Sequence, residues 1–211
     1  MKQDLYLRAG ADPDSSGKAL VMIHGRGGSA SDILQLANHL PVEEFSLIAP
    51  QAPGNTWYPY SFMAPVAQNQ PSLDQSLQML DHVRKDLNSR GITDENMYWL
   101  GFSQGACLTL EYLTRNATRY GGVIAFTGGL IGATPDENNY NGNFKRTPML
   151  IASSDPDPHV PVERVQESAT IINKMEADLL TRIYHNMGHT ITRDEIQLAI
   201  SHVFKKVKSA L

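Results

Sequence analysis

Short apolar runs alternate with amphipathic stretches along the whole chain. Leu5-Tyr6-Leu7 predicts a short edge strand, and Ala19-Leu20-Val21-Met22-Ile23 a fully buried one ending at His24-Gly25. Ser31 to Leu40 predicts a helix, with Ser29 or Ser31 as its cap. Phe45-Ser46-Leu47-Ile48-Ala49 is the next strand, stopped by Pro50. Ser72 to Arg90 carries apolar residues at 73, 77, 79 and 80 and predicts a long helix capped by Ser72. Strand 97–100, helix 104–116 and strand 122–126 follow. Strand 148–152, helix 161–177, strand 179–184 and helix 194–207 complete the series. Strands that are apolar throughout and separated by helices belong in a mostly parallel central sheet with helices on both faces. The expected class is therefore α/β. Two segments break the alternation. Residues 50–71 form a long loop rich in aromatic residues and proline, and 127–147 is a Gly- and Asn-rich excursion. Loops this long in compact domains are usually functional.

There is no internal repeat, low-complexity tract or linker, so residues 1–211 read as a single domain. Hydrophobic residues make up 41% and charged residues 19%, as in ordinary globular proteins. The net charge of −4 provides no basic field for nucleic acid. The one basic cluster, Lys205-Lys206 with Lys208, compensates the dipole of the last helix. A lone cysteine, Cys107, excludes an intramolecular disulfide and reads as a small buried residue. Met1-Lys2-Gln3-Asp4 is followed by no apolar signal segment, and no run approaches the ~20 apolar residues of a membrane span. The expected address is the cytoplasm.

The chemistry centres on Gly101-Phe102-Ser103-Gln104-Gly105, between an apolar strand and a helix. G-x-S-x-G at a strand-to-helix turn is a nucleophile elbow. Serine is a weak nucleophile and needs a histidine base, which needs an acid to fix its tautomer. In this architecture they follow in the order Ser, acid, His. The loop after strand 148–152 offers Asp155 and Asp157. Asp157 is favoured because it stands three residues before Val160-Pro161, with Asp155 as runner-up held by loop-fixing hydrogen bonds. After the last strand, Gly188-His189 places His189 as base, while His185 at the strand end reads as a packing residue. His24-Gly25-Arg26-Gly27 is an H-G-x-G loop of the kind that completes an oxyanion hole. The expected donors are the backbone N–H groups of Arg26 and Gln104, and His24 reads as an orienting residue.

Other readings compete. The glycines near Arg26 lack the phosphate-loop pattern. Asp155-x-Asp157-x-His159 superficially resembles a metal cluster but needs further ligands, so no metal or cofactor is expected. In the aromatic loop, Trp57, Tyr58, Tyr60, Phe62 and Met63 are ordinary core, a substrate pocket, or a homodimer contact. Trp57, Phe62, Met63 and Met187 are the pocket candidates. Arg26 either favours an anionic substrate or is a solvated surface residue.

Together, His24-Gly25-Arg26-Gly27, Gly101-Phe102-Ser103-Gln104-Gly105, Asp157-Pro158-His159-Val160-Pro161 and Gly188-His189 resemble the small carboxylesterase/phospholipase family of α/β-hydrolases, which includes the acyl-protein thioesterases. The resemblance runs over nearly the whole chain. It implies a compact α/β-hydrolase with no separate cap domain, no cofactor, and Ser103, Asp157 and His189 as triad. Arg26 departs from the apolar residue common after His-Gly in the thioesterase branch, and Ser153-Ser154 from its His-Gly. The resemblance thus carries an ester hydrolase acting on a small-molecule ester through an acyl-enzyme. It leaves thioesterase, lysophospholipase and non-catalytic ligand-binding alternatives. Dienelactone hydrolases share the architecture but use cysteine where this chain has Ser103.

Overall fold

The structure, a computed structural model, describes residues 6–208, apart from the side chains of Lys206 and Lys208. Leu5 and those two lysine side chains therefore lie outside the described residues. Among the described residues, seven strands form one sheet in the order β1-β3-β2-β4-β5-β6-β7. They are β1 (Tyr6–Gly10), β2 (Ala19–Ile23), β3 (Ser46–Pro50), β4 (Met97–Phe102), β5 (Gly122–Phe126), β6 (Pro148–Asp155) and β7 (Asp178–His185). Only β1 is antiparallel, pairing Tyr6 with Pro50 at the edge. The other neighbours run parallel, with Ala19 opposite Met97 and Tyr98 opposite Gly122.

The helices are α1 (Pro13–Ser16), α2 (Ala30–Leu34), α3 (Ser72–Ser89), α4 (Gln104–Arg115), α5 (Val162–Lys174), α6 (Arg193–His202) and α7 (Lys205–Lys208). Because side chains alternate along a strand, the sheet feeds two cores. Ala19, Val21, Ile23, Trp99, Val123 and Ile151 face α3, α4 and α5. Leu20, Met22, Leu100, Ile124 and Leu150 face α2, α6 and Val207 of α7. In α4 every residue from Gln104 to Thr114 is buried, which makes it the central helix of the molecule.

The departures from expectation have local causes. α2 ends at Leu34 and tightens into a 3-10 turn over Gln35–His39, and Ser29 forms its capping box with Asp32. Pro50 is the last residue of β3 rather than its stop. Ser72 is the first helical residue of α3, not its cap. The entry to α3 is held by Gln70, whose amide exchanges hydrogen bonds with Asp74. α5 ends at Lys174 because Glu176 turns left-handed, at φ 60°. The last helix breaks after His202, where Phe204 packs inward and stacks on Tyr98 at 5.2 Å. α1 had a signal that was passed over: Asp12 caps it, Pro13 opens it and Gly17 closes it.

Candidate active site

The C-terminal ends of β4, β6 and β7, with β5 between β4 and β6, point to the same end of the sheet and carry three loops. Ser103 stands between β4 and α4 with φ 54° and ψ −121°, a strained conformation for a residue with a side chain. Its N–H donates to Phe126 O at 2.9 Å, so the turn is anchored to β5. The flanking glycines are required by close approach. A Cβ on Gly101 would stand 2.7 Å from Ala106 Cα. A Cβ on Gly105 would stand 2.7 Å from Ile23 C and closer still to the Ile23 and His24 carbonyl oxygens. The bare backbone at 105 lets α4 lie directly against the end of β2.

His189 links the other two loops. Its Nδ1–H donates to Asp157 Oδ2 at 2.9 Å, and its Nε2 accepts from the Ser103 hydroxyl at 2.8 Å. The other carboxylate oxygen, Asp157 Oδ1, accepts from the His159 and Val160 N–H groups, each at 2.9 Å. The Asp157 side chain is fully buried. Burial pushes its pKa up, but the hydrogen bonds from His159 N–H, the His189 ring and Val160 N–H outweigh this and hold it below the ordinary carboxylate value. The anionic Asp157 accepts only, so His189 carries its proton on Nδ1 and presents Nε2 as the acceptor facing Ser103.

The competing residues fall elsewhere. Asp155 is the last residue of β6, in register with His185 on β7, away from the Ser103 contact. The His24 ring is buried; its Nε2 accepts from Ala52 N–H at 3.2 Å and its Nδ1–H donates to Gly25 O at 2.7 Å. Burial lowers its basicity. His24 shapes the Gly25-Arg26-Gly27 loop, while Gly27 N–H ties that loop to Asn55 O at 2.8 Å.

A cavity of about 420 Å³ opens beside Ser103. Its lining includes Arg26, Gln104 and His189 on the polar side, and Tyr58, Tyr60, Phe62, Phe102 and Cys107 on the apolar side. Phe62 is where the sequence placed it. Trp57, Met63 and Met187 are not in the lining. The Trp57 indole is turned inward, donating from Nε1 to His24 O at 2.8 Å and packing on the His24 ring. Met63 packs on the α3–α5 core, and Met187 faces Ser154 through its backbone N–H. His159 lines the mouth, its ring edge-on to His189 at 4.9 Å.

Three side chains whose holding role the sequence does not show keep this arrangement together. Arg26 is neither a loose surface residue nor a free cation. Its guanidinium donates to the carbonyls of Tyr58, Pro59 and Tyr60 at 3.0, 2.9 and 2.8 Å. The Gln104 amide accepts from Trp57 N–H at 3.0 Å and donates to Tyr58 O at 2.8 Å. Both grip the aromatic loop. Ser154, fully buried on β6, uses its whole hydrogen-bonding capacity. Its Oγ accepts from Met187 and Gly188 N–H at 3.1 Å each and donates to Pro156 O at 3.2 Å. It thereby joins the loop bearing Asp157 to the loop bearing His189. Ser154→Ala would leave two half-buried N–H groups without that acceptor, a cost of about 1 kcal/mol. We expect kcat on an activated ester to fall roughly tenfold with KM nearly unchanged, because His189 loses its fixed placement. A melting-temperature drop with unaltered kcat would assign Ser154 to the fold alone.

Among the described residues, no group of three or more His, Cys, Asp or Glu side chains is placed to hold a metal ion. No described helix is long and apolar enough to cross a membrane.

A mostly parallel sheet covered on both faces, with a strained serine elbow at the end of β4, defines an α/β-hydrolase. The chain belongs to the phospholipase/carboxylesterase family, whose pattern matches residues 9–207. It is similar to a phospholipase/carboxylesterase from Dyadobacter fermentans at 51% identity and a TM-score of 0.94, over 96% of this chain and 97% of that one. Acyl-protein thioesterase 1 of Kluyveromyces lactis is 24% identical over 222 residues, covering 96% of this chain and 97% of the relative. A plant relative, "Probable carboxylesterase SOBER1-like" of Arabidopsis thaliana, is 28% identical over 120 residues. That match takes in 57% of this chain and 46% of the relative, about half the relative's length.

Proposed function

We propose that this chain is a serine carboxylic-ester hydrolase acting on small to medium acyl esters through an acyl-enzyme. The observation that carries the reading is the unbroken path from Ser103 through His189 to Asp157, with links of 2.8 and 2.9 Å, at the rim of the cavity. Ser103 Oγ attacks the ester carbonyl carbon as its proton passes to His189 Nε2. Asp157 holds the ring and stabilises the imidazolium. The carbonyl oxygen becomes an oxyanion that the backbone N–H groups of Arg26 and Gln104 receive. Gln104 opens α4, so its N–H has no helical partner and the positive end of the helix dipole faces the developing charge. His189 then gives its proton to the leaving alcohol. Water, giving a proton to His189, attacks the acyl carbon, and His189 returns that proton to Ser103 Oγ as the carboxylic acid is released. Protons pass only among Ser103, His189, the leaving alcohol and the attacking water, and none of these steps calls for a cofactor.

The cavity volume supports a modest acyl group, and the similarity to acyl-protein thioesterases makes thioesters the neighbouring class. The test is a p-nitrophenyl ester series from acetate upward beside matched thioesters, together with labelling by a fluorophosphonate. We expect labelling at Ser103 and an optimum at short to medium acyl chains. Thioester rates that exceed the matched ester rates would move the chain to the thioesterase class. An unlabelled Ser103 with no turnover of either series would identify a non-catalytic binding protein.

A further inference from the structure

The inner end of the cavity holds polar groups that the triad does not use. Tyr58 and Cys107 both line the cavity and both are about 1% exposed. The Tyr58 hydroxyl lies beside the Cys107 thiol and finds no well-formed hydrogen bond among the protein groups around it. Sulfur is a weak acceptor, and a buried hydroxyl without a proper partner is destabilising. The phenol is also held firmly. The Tyr58 carbonyl accepts from both Arg26 and Gln104, at 3.0 and 2.8 Å, which fixes its backbone, and the close packing around the buried side chain holds the ring. Burial raises the Tyr58 phenol well above its usual value and pushes the Cys107 thiol up to about 12. Both groups therefore stay neutral at ordinary pH.

Their place relative to the reaction is set by α4. Cys107 follows Ser103 by one helical turn, which is roughly 6 Å of rise. The leaving alcohol must sit near His189, which protonates it, so the acyl chain extends to the other side, past Arg26 and Gln104. Tyr58, Phe62 and Cys107 line the same cavity as Arg26 and Gln104, and the Tyr58 carbonyl is bonded to both. A rise of roughly 6 Å leaves room for about three or four acyl atoms beyond Ser103 before the chain meets the phenol.

We propose that the Tyr58 hydroxyl is a specificity determinant that donates a hydrogen bond to a neutral oxygen in a short acyl group. The preferred substrates are esters of alkoxy-, hydroxy- or keto-substituted short-chain acids rather than of plain fatty acids. The aromatic walls, Phe62 and Phe102, favour the carbon portion of the same chain.

This inference rests on the ester-hydrolase reading, and the test separates the two. Wild type and Tyr58→Phe are compared on p-nitrophenyl methoxyacetate against butyrate, and on 3-methoxypropionate against valerate. Each pair matches in length and differs by one oxygen for a methylene. Intrinsic reactivity cancels when the kcat/KM ratio within a pair is compared between the two proteins. We expect the oxygen-to-methylene ratio to be about tenfold higher in wild type for at least one pair. Cys107→Ser, which offers the phenol a stronger acceptor, should lower the ratio in the same direction and guards against a Tyr58→Phe protein that fails to fold. Equal ratios in all three proteins, with the esters still hydrolysed, would overturn the specificity assignment and leave the hydrolase reading standing. No hydrolysis by wild type and no fluorophosphonate labelling of Ser103 would overturn both.

Discussion

Ser103→Ala is expected to lower kcat on p-nitrophenyl esters by roughly 10⁴- to 10⁶-fold, with the melting temperature close to wild type. The substitution removes the atom that forms the acyl-enzyme and leaves His189 without the hydroxyl it faces at 2.8 Å. Alanine fits the site, because the strain at φ 54° is imposed by the backbone around the elbow and not by the hydroxyl. What activity remains comes from the oxyanion donors and substrate binding. The same assay decides between the two aspartates. Asp157→Asn presents an amide where Nδ1–H needs an anionic acceptor, so the ring loses its correct tautomer and kcat falls by roughly 10³- to 10⁴-fold. Asp155→Asn, at the strand end opposite His185, is expected to stay within about twofold of wild type. A large loss at 155 with little at 157 would reverse the assignment of the acid, and a Ser103→Ala protein with near-normal turnover would end the nucleophile mechanism.

Gly105→Ala has the largest expected effect on stability. The added methyl would meet main-chain atoms of Ile23 and His24, which no rotamer change can move aside. Either α4 lifts off β2 or the Gly25-Arg26 loop shifts. Overpacking of this kind costs about 3 kcal/mol or more. For a chain of this size that lowers the melting temperature by about 10 °C. The shift would also move Gln104 and Arg26 apart, so fluorophosphonate labelling should slow in whatever protein folds. A Gly105→Ala protein that melts and labels like wild type would show that the elbow has slack the structure does not display.

The strands were legible because a parallel sheet buried on both faces needs runs like Ala19–Ile23 and Gly122–Phe126, which nothing else in the sequence imitates. The meeting of Ser103, Asp157 and His189 was legible for a related reason. Each follows a recognisable strand, and parallel strands bring all such loops to one end of the sheet. Helix ends were less clear, since Glu176 and the inward turn of Phe204 depend on tertiary packing. The supporting side chains were hidden for a different reason. The Gln104 side chain had no foreseen role, and the Arg26 guanidinium was read only as a contact for an anionic substrate or as a solvated surface group. Their guanidinium and amide reach carbonyls more than thirty and more than forty residues away, a pairing that no local pattern records. Ser154 was invisible in the same way: a serine in an apolar strand carries no sign that it joins two loops. The choice of Trp57 over Tyr58 as a pocket residue failed because neighbouring residues of an irregular loop do not alternate predictably.

The separation of 86 residues between Ser103 and His189 also has a consequence for the chain during its synthesis. Chains emerge from the ribosome N-terminus first, so the elbow can form on β2, β4 and β5 well before the last strand exists. Until β7 docks against β6, Ser103 is an ordinary alcohol with no base. The nascent protein therefore stays chemically silent after Ser103 has emerged, and reactivity appears only when the loop bearing His189 has been placed.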